Sequence, residues 1–137
     1  QRKATGQATN TAALEAVARA LPALWRAEKV QKKARKAGFD WPEVSGALDK
    51  LSEELEELKT AAAEGTNVAE ELGDLLFSAV NAARFLKVDP EDALNGATDK
   101  FIGRFRKVEA QAAAQGKAME DMGLEELDAL WERAKET

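Results

Sequence analysis

The stretch EELEELKTAAAEGTNVAEELGD, residues 53–74, is the one from which the fold can be read. It holds two acidic pairs, Glu54/Glu57 and Glu71/Asp74, each spaced three residues apart. On a helix that spacing puts both carboxylates of a pair on one face, about 60° apart. Gly65 is a helix stop and Asn67 a helix start, so the two pairs belong to successive helices. If those helices are antiparallel neighbours, four carboxylates converge. Four negative charges crowded together repel wherever water is scarce, so such a cluster is exposed, protonated or holding a cation. A bound cation is the leading reading.

Composition agrees with helices throughout. The chain of 137 residues is rich in Ala, Leu, Glu and Lys, lacks Tyr and has three Pro, which predicts an all-α helical bundle of four to five helices. One domain is expected over residues 11–137, enough to bury roughly two thirds of its unfolded surface. The polar residues 1–10, with Gly6, read as a flexible tail or linker remnant. The absence of an initiator Met points to a trimmed chain or a fragment. A net charge of −5 disfavours DNA, RNA or an anionic membrane as partner, so any anion site must be local. With neither Cys nor His in the chain, disulfides, zinc thiolates, thiol nucleophiles and Ser-His-Asp triads are excluded. Carboxylates must do the chemistry. No apolar run approaches membrane-spanning length, which gives a soluble, cytoplasmic reading.

Outward from the acidic stretch, the helix over about 43–63 shows an apolar stripe at Val44, Leu48, Leu51, Leu55, Leu58 and Ala62. Glu54 lies at the edge of that stripe, with Lys50 and Glu57 just beyond it on the same flank and Glu53 adjoining Glu57 on the outer face. The helix from Asn67 to about Leu86 has one face of Leu72, Leu75, Leu76, Ala79, Val80, Ala83 and Leu86. Its opposite side carries Asp74, Phe77, Ser78, Asn81 and Phe85, so it needs cover on two sides, from another helix or a second subunit. Glu70 and Glu71 suit the first turns of this helix, whereas Asp74 lies deeper, where Asp is a poor helix former. The Asn81 amide needs partners, either a nucleobase or ribose or a structural hydrogen bond.

Upstream, a helical pattern runs from Thr11 to about Ala37, with Pro22 either starting a second helix or kinking a longer one. Its basic run, Arg26, Lys29, Lys32, Lys33, Arg35 and Lys36, is a solvated face or in part an anion contact. In the loop Gly38-Phe39-Asp40-Trp41-Pro42, Trp41 is a lid on the core or a base-stacking group. Downstream, Asp89-Pro90 opens a helix reaching about Ala114, on which Lys100, Arg104 and Lys107 form a phosphate clamp or a solvated face beside Phe101, Phe105 and Val108. After a loop over 116–123, a terminal helix carries Leu124, Leu127, Leu130 and Trp131; Trp131 fills the core or caps a pocket.

An acidic, all-oxygen ligand set suits Mg²⁺ shared between carboxylates, water and phosphates. Such ions neutralise a nucleotide's phosphates and lower the pKa of a bound water. A free carboxylate, Glu53 being the obvious one, is placed to take the proton, or is a solvated surface acid.

The combination GFDW at 38–41, KLSEELEEL at 50–58, EELGDLLFSAVNAARFL at 70–86, KFIGRFRKVE at 100–109 and LDALWERAK at 127–135 resembles the MazG-type nucleoside triphosphate pyrophosphohydrolases. The resemblance spans roughly residues 20–136. Many members carry two tandem copies of this module, and LPALWRAEKVQKKARKAGFDW, residues 21–41, resembles the entry to the second copy. The chain is then a stand-alone member or the C-terminal module of a longer protein. The resemblance implies an all-α intertwined homodimer that hydrolyses NTP or dNTP to the monophosphate and pyrophosphate with Mg²⁺, or with Mn²⁺ in its place, in a house-cleaning role. It implies Glu54, Glu57, Glu71 and Asp74 as metal ligands, and Lys50, Lys100, Arg104 and Trp131 as substrate contacts. One departure is at Ile102 and Gly103, where the family often has a charged or polar pair. Two other readings stand beside it: a pyrophosphatase narrowed to dUTP or dCTP, and a non-catalytic helical dimerisation module. Nucleotide preference is not legible, because it rests on a few pocket contacts.

Overall fold

A computed structural model describes residues 9–40 and 43–136. All regular structure among them is helical: α1 (Asn10–Glu15), α2 (Ala23–Lys36), α3 (Val44–Glu64), α4 (Val68–Phe85), α5 (Pro90–Ala114) and α6 (Leu124–Lys135), with one 3₁₀ turn at Met119–Asp121. The expected aromatic Trp41 lies outside the described residues. Two compact units divide after Glu91.

In the first unit the helical pattern upstream of Gly38 is broken. α1 ends at Glu15, and Pro22 takes the N-cap position of α2, where its missing N–H costs nothing. α2 ends against Gly38, whose φ of +95° lies where side chains with a Cβ are strained. Asp89, just ahead of α5, accepts from the Trp25 indole Nε1–H at 2.8 Å and from the Glu91 backbone N–H at 2.9 Å. One side chain thus both caps a helix start and ties it to α2.

α3 and α4 form the hairpin that positions the acids. Gly65 closes α3 in a left-handed conformation, the usual helix-ending geometry. Asn67 does occupy the N-cap of α4, but its side chain makes no capping bond. Its φ of +57° explains the residue instead, because Asn tolerates left-handed backbone better than most side chains. Glu54 meets Glu71 and Asp74, while Lys50, further back on α3, shares a cavity with Ser78 and Asn81, further along α4. Retreat along one helix matches advance along the other, so the two run antiparallel.

The face of α3 covered by this chain carries Ala47, Glu54 and Ala61, seven residues apart and therefore one above another. This corrects the expected stripe: Leu48 and Leu55 are exposed, and the helix is rolled so that Glu54 faces inward. On α4 the buried residues are Ser78, Val80 and Ala82, whereas Leu72 and Leu76 stay 44% and 51% exposed. Neither apolar row of α4 is fully covered within the chain.

In the second unit Val108 and Ala112 of α5 pack with Met122, Leu130 and Ala134, flanked by Met119, Leu127 and Trp131. Burial of a side chain such as Leu130 stabilises by about 1.5–3 kcal/mol. Gly116, with φ +73°, ends the long helix. The following turn is pinned by Glu126, which accepts from Lys117 Nζ at 2.8 Å and from the Gly123 N–H at 3.4 Å. These donors, Lys117 foremost, hold the Glu126 carboxyl below the usual carboxylate range. Gly103 sits inside α5, and a Cβ added there meets nothing within 4 Å. Gly103→Ala is expected to stabilise the fold by about 1 kcal/mol through helix propensity, read as a rise in the urea midpoint without a change in slope.

Candidate metal centre and adjoining pocket

Glu54 from α3 and Glu71 and Asp74 from the start of α4 bring carboxylate oxygens within 4.8 Å of one another. Glu54 is buried, Glu71 half-buried and Asp74 exposed, so the cluster opens to solvent on one side. Glu54 Oε1 accepts from Lys50 Nζ at 3.1 Å, but Glu54 Oε2 and Glu71 Oε1 are buried without any hydrogen-bond partner. A buried acceptor left unmet costs about 1–3 kcal/mol, more when charged. Burial, then the charges of Glu57, Asp74, Glu54 and Glu70, push the Glu71 carboxyl above the usual range. Each of these observations describes a site short of positive charge. Two orphaned carboxylate oxygens beside a solvent-open third acid fit a hard divalent cation that completes its shell with water.

Lys50 stands at the inner edge. Its ammonium bonds Glu54 and lies 3.8 Å from Glu53. Glu54 above all, then Glu53 and Glu57, raise its pKa against the opposing effect of burial, so it is firmly charged. Glu53 is exposed. Glu57 lies outside the tight three-acid set, although its charge acts on both Glu71 and Lys50. It lines a surface cavity of about 300 Å³ together with Glu71, Thr60 and Thr66.

On the other side of Lys50 lies a cavity of about 310 Å³ between α2, the Gly38–Asp40 turn and α4. Asn81 lines it, and so do Gln31, Phe77 and Ser78, which the sequence reading did not single out as a site. Gln31 is buried at 6% exposure; its Nε2 donates to the Phe77 carbonyl at 2.9 Å, and its Oε1 has no partner. A signal for Gln31 existed. Ala27, Val30, Gln31 and Ala34 recur at i, i+3, i+4 and i+7, the inward stripe of a helix, and the surrounding lysines obscure it. Those lysines and Arg35 are exposed, and Lys32, Arg35 and Lys36 line an open cavity together with Glu28, Arg84 and Lys87.

Asn81 Oδ1 accepts from Arg84 Nη2 at 2.6 Å. Arg84 in turn grips Asp40 with both terminal nitrogens, at 3.1 and 2.6 Å, and lies 4.9 Å above the Phe85 ring. The remaining expected substrate contacts belong to the second unit. There Arg104 is half-buried and Lys100 exposed on α5, and Trp131 packs on Phe101 with ring centroids 5.0 Å apart.

The fold and the acids define a class: an all-α protein whose paired helices present a carboxylate cluster beside a lysine and a small pocket. The family model for the MazG nucleotide pyrophosphohydrolase domain matches residues 43–109, which include every residue of that cluster. Over 115 residues the chain is 48% identical to the nucleoside triphosphate pyrophosphohydrolase/pyrophosphatase MazG of Thermotoga maritima, covering 84% of this chain and 45% of that protein. It is 41% identical over 133 residues to a nucleoside triphosphate pyrophosphohydrolase of Escherichia coli, covering 94% of this chain and 51% of the other. It is also 45% identical over 139 residues to the YabN protein of Bacillus subtilis, covering 99% of this chain and 28% of that one. The chain belongs to the MazG nucleotide pyrophosphohydrolase family, and it spans about half the length, or less, of these relatives.

Proposed function

We propose that the protein hydrolyses nucleoside triphosphates to the monophosphate and pyrophosphate, with Mg²⁺, or Mn²⁺ in its place, held by Glu54, Glu71 and Asp74 and assisted by Glu57. The observation that carries this reading is the pair of buried, unpartnered oxygens Glu54 Oε2 and Glu71 Oε1 in a cluster bordered by Lys50. That the Thermotoga and Escherichia relatives are nucleoside triphosphate pyrophosphohydrolases supports the reaction class.

The ion held there would neutralise phosphate charge and lower the pKa of water at the site. The chain's own residues do the rest. Lys50 pairs with Glu54 at 3.1 Å and adds a positive charge where the phosphates enter. Glu53, exposed and adjoining Lys50, accepts the proton that the attacking water loses. The 310 Å³ cavity with Asn81 takes the nucleoside end. Lys100, Arg104 and Trp131, in the second unit, are proposed as substrate contacts on the strength of the family motif alone.

A homodimer is part of the proposal. Leu48 and Leu55 of α3 and Leu72 and Leu76 of α4 are each more than 40% exposed. A second copy covers these rows, and sedimentation of the protein is expected to give twice the chain mass.

The test of the reaction is product identity. With Mg²⁺ and a panel of NTPs and dNTPs, the protein is expected to release one pyrophosphate per nucleotide and no orthophosphate, and to lose turnover in EDTA. Orthophosphate as the first product would overturn the reading. A dimerisation module without chemistry would release neither.

A further inference from the structure

We infer that the cavity beside Lys50 reads the nucleobase edge with one fixed acceptor, Gln31 Oε1, and one fixed donor, the Asn81 amide N–H. It thereby admits bases that offer a hydrogen-bond donor next to an acceptor. The inference rests on the hydrolase reading above and assigns its base selectivity.

Both amide orientations are locked by their partners. Gln31 Nε2 donates to the Phe77 carbonyl at 2.9 Å, and a carbonyl only accepts, so flipping the amide sets oxygen against oxygen. The Oε1 atom is thereby left as an acceptor, and it is buried and unpaired on a side chain that lines the cavity. Asn81 is locked the opposite way. Its Oδ1 takes a bond from Arg84 Nη2 at 2.6 Å; an arginine only donates, which leaves the Asn81 Nδ2 hydrogens as donors. Arg84 is itself fixed by the two-pronged grip on Asp40.

The size and walls of the cavity select a base over the charged end of the substrate. At about 310 Å³ it lies at the lower bound of ligand pockets, too small to take a triphosphate as well. The apolar parts of its wall are Val30, Ala34, Phe39 and Phe77, surfaces that suit a planar ring. Lys50 lines the cavity and also bonds Glu54, so a nucleotide seated by its base leads its phosphates past Lys50 towards the acids.

All the common bases place a donor beside an acceptor on the Watson–Crick edge: the amine and ring nitrogen of adenine or cytosine, the ring N–H and carbonyl of guanine, thymine or uracil. The pocket therefore tolerates each of them. It rejects a base with the acceptor alone, because Gln31 Oε1 then stays buried and unmet.

The experiment compares ATP with purine riboside triphosphate, which keeps the ring nitrogens and lacks the 6-amino donor. Wild-type protein is expected to show kcat/KM roughly tenfold or more lower for the purine nucleotide, expressed mainly in KM. Gln31→Met is expected to bring ATP down to the same level and erase the gap. Equal kcat/KM for the two nucleotides in the wild type would overturn the inference, and this comparison needs no variant to fold. A gap that persists in Gln31→Met, or a preference that follows the sugar 2′-hydroxyl instead, also overturns it. Absence of turnover with both nucleotides overturns only the hydrolase reading. Calorimetric titration with adenosine against purine riboside then decides the pocket, weaker binding of purine riboside supporting it and equal binding overturning it.

Discussion

Glu54→Gln is expected to lower Mg²⁺-dependent pyrophosphate release by at least about a hundredfold, a loss of roughly 2.7 kcal/mol in transition-state stabilisation, while leaving the fold intact. The amide has the same shape, so packing against α4 survives. What changes is charge: the buried, unpartnered Oε2 is the atom best placed to bind a cation, and an amide offers it no charge. Without metal, removing one of three acids that lie within 4.8 Å relieves repulsion but gives up the charge that pairs with Lys50 at 3.1 Å, so the metal-free variant should melt close to the wild type. With metal the two separate. A ligand present at a hundred times its Kd stabilises the folded state by about 2.7 kcal/mol, and only the wild type should show that gain as a Mg²⁺-induced rise in Tm. Asp74→Asn should behave in the same way. Turnover within a few-fold of wild type in both variants would remove these acids from the centre.

What the sequence made legible in this site was local. The pairing of Lys50 with Glu54 follows from an i, i+4 spacing, and the end of α3 at Gly65 and the start of α5 at Pro90 follow from backbone chemistry that acts within a few residues. The rotation of α3 was not legible, because an apolar stripe reports that Leu48 and Leu55 need cover without saying which chain supplies it. Within this chain Ala47, Glu54 and Ala61 are covered instead, and Glu54, read as an edge residue, sits deepest of the acids. Gln31 was missed because a polar amide among lysines reads as surface; what buries it is contact with Phe77, 46 positions away. Asn67 was placed correctly for a partly wrong reason. Its side chain was expected to cap α4, whereas its backbone makes the left-handed turn into the helix.

A similar distance in sequence hides a two-pronged ion pair of the first unit. Arg84 and Asp40 stand 44 positions apart and form a two-pronged pair. Their side chains are 8% and 16% exposed, and Asp40 also lies 3.6 Å from Arg35. Taking away Asp40 leaves the Arg84 guanidinium nearly buried without its carboxylate. Asp40→Asn is expected to cost about 3 kcal/mol of stability, several times the value of a surface ion pair. The double variant Asp40→Asn with Arg84→Met should be less destabilised than the two single losses added together, because the second change removes the stranded charge. Urea unfolding of the four proteins measures that coupling, and a loss below about 0.5 kcal/mol in Asp40→Asn would class the pair with surface contacts. The pair also reaches the proposed nucleoside cavity from two sides: Asp40 belongs to the turn that walls it, and Arg84 holds the Asn81 amide. In Asp40→Asn, KM for nucleotide should therefore rise while kcat at saturation changes little. That split separates a residue that positions the pocket from one that merely stabilises the fold, since partial unfolding alone lowers the apparent kcat and leaves KM in place.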